Sequence, residues 1–314
     1  MSPAAAPFAG APGEALTLTA ADGYALAAAR YAVPNAPPRA HLVVAGATGV
    51  PQAFYRRFAG HAAGRGFETL TLDYRGVGRS APPGAPRSLR GFRVDYRDWA
   101  RQDLAAAVGR ARSAAERDGV PLYLVGHSYG GHALGLLPDP GAVAAAYFFA
   151  VGAGWAGWMA PAERAKVTLM WNAVGPAVVR WKGYLAWSLL GMGEDLPLGV
   201  YRQWRRWCAF PHYFFDDPEV AGEMRALFAR VRLPIRAANA ADDAWAPPRS
   251  RDAFMAGYRN APWDAVDLDP AAYGGRVGHT GYFRPAAAAL WDDALGWLAA
   301  RSWRPAPTVR PTAA

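Results

Sequence analysis

A short apolar run, Leu122 to Val125, meets an Ala- and Leu-rich helical stretch across Gly126-His127-Ser128-Tyr129-Gly130-Gly131. A chain passes from strand to helix this abruptly only on a very tight turn. The positions two residues either side of its tip must then be small, because the two backbones nearly touch. Gly126 and Gly130 meet that need, and Gly131 relieves crowding further. A serine at the tip projects its hydroxyl above the sheet edge, and the helix N-terminus behind it favours negative charge. Ser128 is therefore the candidate nucleophile.

A serine alone is a poor nucleophile at neutral pH and needs a base, which in turn needs a group to orient it. Of six histidines, His127 adjoins the serine but is expected to point away along the turn, and His132 falls inside the following helix. His279 sits in Gly278-His279-Thr280-Gly281, a glycine-flanked loop before the final helix, from which an imidazole can reach Ser128. The acid is expected at a strand end between the two, where Leu233–Asn239 runs into Ala240-Ala241-Asp242-Asp243-Ala244-Trp245. Either aspartate can accept the imidazole N–H. Asp243, at the turn tip, is preferred, with Asp242 bonding turn amides. The order Ser128, Asp243, His279 matches one of the known chain orders for such triads. Oxyanion donors are expected from the amide of Tyr129 and from Gly46-Ala47-Thr48-Gly49, with Ala47 preferred and Thr48 as the alternative.

Elsewhere, short apolar runs alternate with longer helical patterns, which predicts an α/β fold with a largely parallel sheet flanked by helices. Asp22-Gly23 marks a hairpin between Ala15–Ala20 and Tyr24–Tyr31. Strands are predicted at His41–Ala45, Glu68–Asp73, Leu122–Gly126, Ala144–Ala150, Leu233–Asn239 and Pro262–Leu268. Helices are predicted over Gln52–Arg65, with Phe54, Phe58 and Ala62 on one face, and over Tyr96–Arg117. From Gly154 to Arg230 the texture is helical without a central strand, and seven of the thirteen tryptophans lie there. That stretch is expected as a lid rather than a separate domain. The expected organisation is a core of residues 14–153 and 232–303, a lid of residues 154–231, and flexible termini at 1–13 and 304–314.

With 314 residues, 52% of them hydrophobic and 19% charged, the chain can bury a large core and does not have the composition of a disordered protein. The single cysteine, Cys208, cannot form an internal disulfide. The net charge is +9, and of 34 basic side chains only Lys166 and Lys182 are lysines. The arginines are spread along the chain and match no nucleic-acid module, so no nucleic-acid partner is expected. Contact with an anionic membrane surface is left open. Neither a basic segment before an apolar run at the start nor an uninterrupted span of about 18 apolar residues is evident, so the expected location is cytoplasmic. No cofactor or metal is expected.

Five segments together carry a family resemblance: Val43-Val-Ala-Gly-Ala-Thr-Gly49, Asp73-Tyr-Arg-Gly-Val-Gly-Arg-Ser80, Gly126-His-Ser-Tyr-Gly-Gly131, Ala241-Asp-Asp-Ala-Trp-Ala-Pro247 and Gly278-His-Thr-Gly-Tyr-Phe283. In content and order the sequence resembles the α/β-hydrolase superfamily, and more narrowly the uncharacterised bacterial α/β hydrolases near the serine-aminopeptidase and lysophospholipase group. The resemblance implies the α/β-hydrolase fold, with a helical lid inserted after the sixth strand and a structural role for Asp73–Ser80. It departs from the family at Ala45-Gly46, where most relatives carry His-Gly. The expected function is a serine hydrolase acting on an ester or thioester, with an apolar acyl group under the aromatic lid. The alternatives are an aminopeptidase using a lid carboxylate (Glu163, Glu194, Asp195, Asp216 or Asp217), an acyltransferase, and a non-catalytic binder of a small ligand.

Overall fold

The computed structural model describes residues 13–82, 88–191 and 193–301. The expected flexible termini, Gly13 excepted, lie outside the described residues. Eight strands form one sheet in the order β1-β2-β4-β3-β5-β6-β7-β8. They are β1 Glu14–Thr19, β2 Ala25–Tyr31, β3 Ala40–Ala45, β4 Phe67–Leu72, β5 Leu122–His127, β6 Ala145–Phe149, β7 Ile235–Ala240 and β8 Trp263–Leu268. β1 and β2 form the antiparallel hairpin expected around Asp22-Gly23, and β2 also pairs antiparallel with β4. Every other pairing is parallel.

Nine α-helices accompany the sheet among the described residues: α1 Arg56–Gly64, α2 Ala105–Asp118, α3 Tyr129–Leu136, α4 Pro161–Leu169, α5 Gly175–Lys182, α6 Leu198–Trp207, α7 Ala221–Phe228, α8 Pro248–Met255 and α9 Ala288–Ala299. The central strands β3, β5 and β6 are buried on both faces, as the middle of a parallel sheet requires, while β1 and β8 at the edges are partly exposed. In β3, Leu42 and Val44 meet Phe58 and Ala62 of α1 and Trp291 of α9 in one core. Val43, one residue out of phase, belongs to the opposite core with Ala107 and Ala111 of α2, Leu134 of α3 and Phe254 of α8.

The helix predicted from Tyr96 begins instead at Trp99, with a wide π-helical turn over Trp99–Leu104 that runs into α2. This turn brings two side chains onto one residue. Asp103 bonds the Arg75 amide and guanidinium at 2.8 and 2.7 Å, and the Trp99 indole donates to the Arg75 carbonyl at 3.0 Å. Asp73 accepts from the amides of Gln52 (2.6 Å) and Arg79 (2.9 Å), tying the loop after β4 to the start of the first helical segment. The whole Asp73–Ser80 stretch is thus a bracket beside the sheet's C-terminal edge.

Between β6 and β7 the described residues are helical, with an isolated bridge between Leu185 and Leu196 as their one β-pairing. Most of their buried side chains, among them Val167, Trp171, Trp187, Tyr201, Trp207 and Phe214, join the α2–α3 core, while Tyr184 and Ala186 pack in a small separate cluster with Leu89. Trp181 behaves differently: it is 65% exposed.

Candidate active site

β5 ends at His127, and α3 starts at Tyr129, so Ser128 alone makes the turn. Its backbone sits at φ 51°, ψ −108°, a conformation a non-glycine residue adopts only when its surroundings enforce it. Those surroundings are visible at the two flanking glycines. A Cβ on Gly126 would stand 2.7 Å from the Gly130 carbonyl carbon, and one on Gly130 only 2.0 Å from the Ala45 carbonyl oxygen. The elbow is as crowded as the spacing of its glycines predicts.

The histidine loop comes to this elbow from 151 residues further along. His279 Nε2 lies 3.1 Å from Ser128 Oγ, and its Nδ1 lies 3.0 and 3.1 Å from the two carboxylate oxygens of Asp243. An Nδ1–H facing the carboxylate leaves Nε2 as the lone-pair nitrogen toward the hydroxyl. Asp243 is almost wholly buried. Besides His279 it accepts from the amides of Trp245 and Ala246 at 3.0 and 2.9 Å and from the Tyr282 hydroxyl at 3.1 Å. Burial pushes its carboxyl up, but the His279 charge and these hydrogen bonds outweigh it and hold the group below the usual carboxylate range.

Asp242, the neighbouring acid, turns the other way. Its two oxygens accept from the amides of Val277 and Gly278 at 3.0 and 2.9 Å, so it anchors the loop that carries His279. Asn239 fixes the same turn from within the sheet, donating to the carbonyls of Val151 and Ala246 at 2.9 and 2.7 Å.

The Ala47 amide, preferred as the second oxyanion donor, donates instead to the Tyr55 hydroxyl at 2.8 Å. An amide already satisfied inside the protein is a weakened donor to anything else. The next amide along, that of Thr48, has no acceptor among the described residues. The Tyr129 amide is a first-turn helix donor, free of intrahelical partners by position. His127 also departs from expectation. It does not point away from the site, but bonds Tyr55 Oη at 2.9 Å and the His279 carbonyl at 2.8 Å.

Beside Ser128, His279 and Asp243 the helical stretch contributes aromatic rings. Trp245 lies 6.4 Å from the His279 ring and stacks on Trp204 at 6.1 Å. Trp204 in turn meets Trp187 and Trp171 edge-on at 5.1 and 5.0 Å. Trp187 also reaches the loop containing Gly49. Among the described residues no group of three or more His, Cys, Asp or Glu side chains is arranged to hold a metal ion.

The serine aminopeptidase S33 family profile matches residues 36–180, which include the Gly46–Gly49 loop and the elbow. A monoglyceride lipase from Saccharomyces cerevisiae, solved with a substrate analogue, superposes with a TM-score of 0.68 at 15% identity, over 96% of this chain and all of that one. The protein has the α/β-hydrolase fold. Two further structures agree with this α/β-hydrolase architecture. The monoacylglycerol lipase of Paleococcus ferrophilus has a TM-score of 0.54 at 15% identity, covering 88% of this chain and 99% of that one. The esterase domain of a Rhodothermus marinus protein has a TM-score of 0.54 at 16% identity, covering 91% and 97%. No curated protein matches this chain by sequence.

Proposed function

We propose that this protein is a serine hydrolase that cleaves carboxylic esters or thioesters through an acyl-enzyme. The observation that carries the reading is His279, which bridges Ser128 Oγ and Asp243 with both ring nitrogens engaged. Ser128 Oγ attacks the substrate carbonyl while His279 Nε2 takes the hydroxyl proton. Asp243 holds Nδ1–H and stabilises the imidazolium that forms. The tetrahedral oxyanion is received at the N-terminus of α3 by the Tyr129 amide, with the Thr48 amide as second donor. His279 returns the proton to the departing alcohol or thiol. Water, deprotonated by the same imidazole, then releases the acid.

Residues 154–231 act as the lid over the core of residues 14–153 and 232–303. Its tryptophans, reaching toward Trp245 and the Gly49 loop, favour an apolar acyl group. Likeness of fold to the monoglyceride and monoacylglycerol lipases agrees with that choice.

The aminopeptidase alternative needs a lid carboxylate free to receive an ammonium group. Glu163 faces Lys166, Asp195 accepts from Ser188, Asp216 from His212 and Asp217 from Arg206. Glu194 is not free either. Esters are therefore favoured over peptides. In a panel of p-nitrophenyl esters, kcat/KM is expected to rise roughly fourfold per added methylene from acetate toward octanoate, the value of about 0.8 kcal/mol for each buried CH₂. Aminoacyl p-nitroanilides are expected to turn over negligibly. Preference for the anilides would replace the ester reading with the peptidase one.

A further inference from the structure

Three hydrogen bonds, two of them buried and the third partly so, run in series beside Ser128 and His279. The Ala47 N–H donates to Tyr55 Oη at 2.8 Å, Tyr55 Oη meets His127 Nδ1 at 2.9 Å, and His127 Nε2 meets the His279 carbonyl at 2.8 Å. Their directions follow from the end groups. A carbonyl oxygen only accepts, so His127 Nε2 carries the proton. An amide N–H only donates, so Tyr55 Oη accepts there and has its own proton free for His127 Nδ1, the lone-pair nitrogen. Every donor and acceptor of both side chains' polar atoms along this path is matched. The path also joins three separate pieces of chain: the loop after β3, the end of β5, and the loop carrying His279.

We propose that Tyr55 and His127 are positioning residues that lock the oxyanion loop and the His279 loop to the elbow strand. The proposal rests on the hydrolase reading above. His279 is held from its ring side by Asp243 and from its backbone side by His127, and neither contact alone fixes its distance to Ser128. The Tyr55 hydroxyl holds the Ala47 amide, so the amide of Thr48 is presented by a loop that cannot turn freely. His127 must remain neutral for the series to persist, because a second ring proton would face the Tyr55 hydroxyl proton. Burial in the aromatic shell of Phe54, Tyr55 and Phe283 pushes its pKa down to about 3.

The test compares Tyr55→Phe, His127→Leu and His127→Gln with wild type in ester kinetics, thermal unfolding and histidine ¹⁵N spectra. Glutamine supplies one acceptor for Tyr55 and one donor for the His279 carbonyl. Displacing a reacting group by about 1 Å costs about a hundredfold. His127→Leu is accordingly expected to lower kcat by about 100-fold and Tyr55→Phe by about tenfold, with KM changed less than about twofold. His127→Gln is expected to recover most of the loss. The wild-type spectrum is expected to show His127 protonated at Nε2 alone from pH 5 to 9. Folded variants that keep wild-type kcat, or a Tyr55→Phe that gains activity, would overturn the positioning role. If His127→Leu fails to fold, the other two variants decide it. An inactive wild type with the His127 tautomer in place would instead overturn the hydrolase reading and, with it, any role in positioning.

Discussion

Asp243→Asn is expected to lower kcat on esters by about 10⁴-fold while leaving the fold intact, whereas Asp242→Asn lowers it far less. The two substitutions are chemically identical and one residue apart, so the contrast isolates what each carboxylate does. Asp243, almost wholly buried, accepts His279 Nδ1–H and three further hydrogen bonds. An asparagine there can turn its NH₂ toward the ring, which forces the proton onto Nε2 and removes the base that faces Ser128 Oγ. Asp242 accepts only the amides of Val277 and Gly278, and an asparagine oxygen can keep one of these. Steady-state kinetics on the two purified variants, with thermal unfolding as the check on folding, measures the ratio. Equal losses in both would mean that the acid is shared or has been assigned to the wrong residue.

The second large effect is on stability in acid. Burial pushes the pKa of both His127 and His132 down to about 3, against 6.5 for an unhindered imidazole. His132 donates Nε2–H to the Gly152 carbonyl, while its Nδ1 has no hydrogen-bond partner among the described residues and its ring packs against those of Phe254 and Tyr213. Between pH 6.5 and about 3 the unfolded chain binds protons on these two side chains that the folded chain refuses. The stability they contribute is thus fully present above pH 6.5 and is lost as the pH falls. Each histidine contributes a slope of about 1.4 kcal/mol per pH unit in that window, and the pair about 2.7. Asp243, whose carboxyl lies below its usual range, adds loss of the same sign below pH 3.8. Urea unfolding at pH 4.5, 5.0 and 5.5 should show His132→Gln with a slope smaller than that of wild type by about 1.4 kcal/mol per pH unit. Identical slopes would mean that His132 titrates in the folded state.

The parts of this molecule that could be read from its sequence are those set by local sterics and period. The elbow depends on glycines within two residues of Ser128, and the hairpin on Asp22-Gly23. The strands appear as apolar runs because both faces of the sheet are covered. His279 lies in the glycine-flanked loop from which it was expected to reach Ser128, and it is Asp243, at the turn tip, whose carboxylate meets its Nδ1. What could not be read depends on partners distant in sequence. Nothing near Ala47 announces that Tyr55, which had no assigned role in the predicted helix, turns its hydroxyl onto that amide. His127 was expected to face away because its contact to the His279 carbonyl spans 152 residues. Tyr282, three residues after His279, bonds both Asp243 and the Ala240 amide, yet in the sequence it is one more aromatic in a loop. The π-helical turn at Trp99–Leu104 likewise places Asp103 and Trp99 on Arg75, 28 and 24 residues away, and no local propensity marks it.

The most direct test is the intact mass of wild type and of Ser128→Ala after treatment with a fluorophosphonate probe. A phosphonylated serine requires a nucleophile activated by its base and an oxyanion site able to stabilise the addition. The expected result is a single adduct on wild type, mapped to the peptide containing Ser128, and none on the variant. A folded wild type that stays unmodified, or an adduct that persists in Ser128→Ala, would contradict a hydrolase built on Ser128, His279 and Asp243.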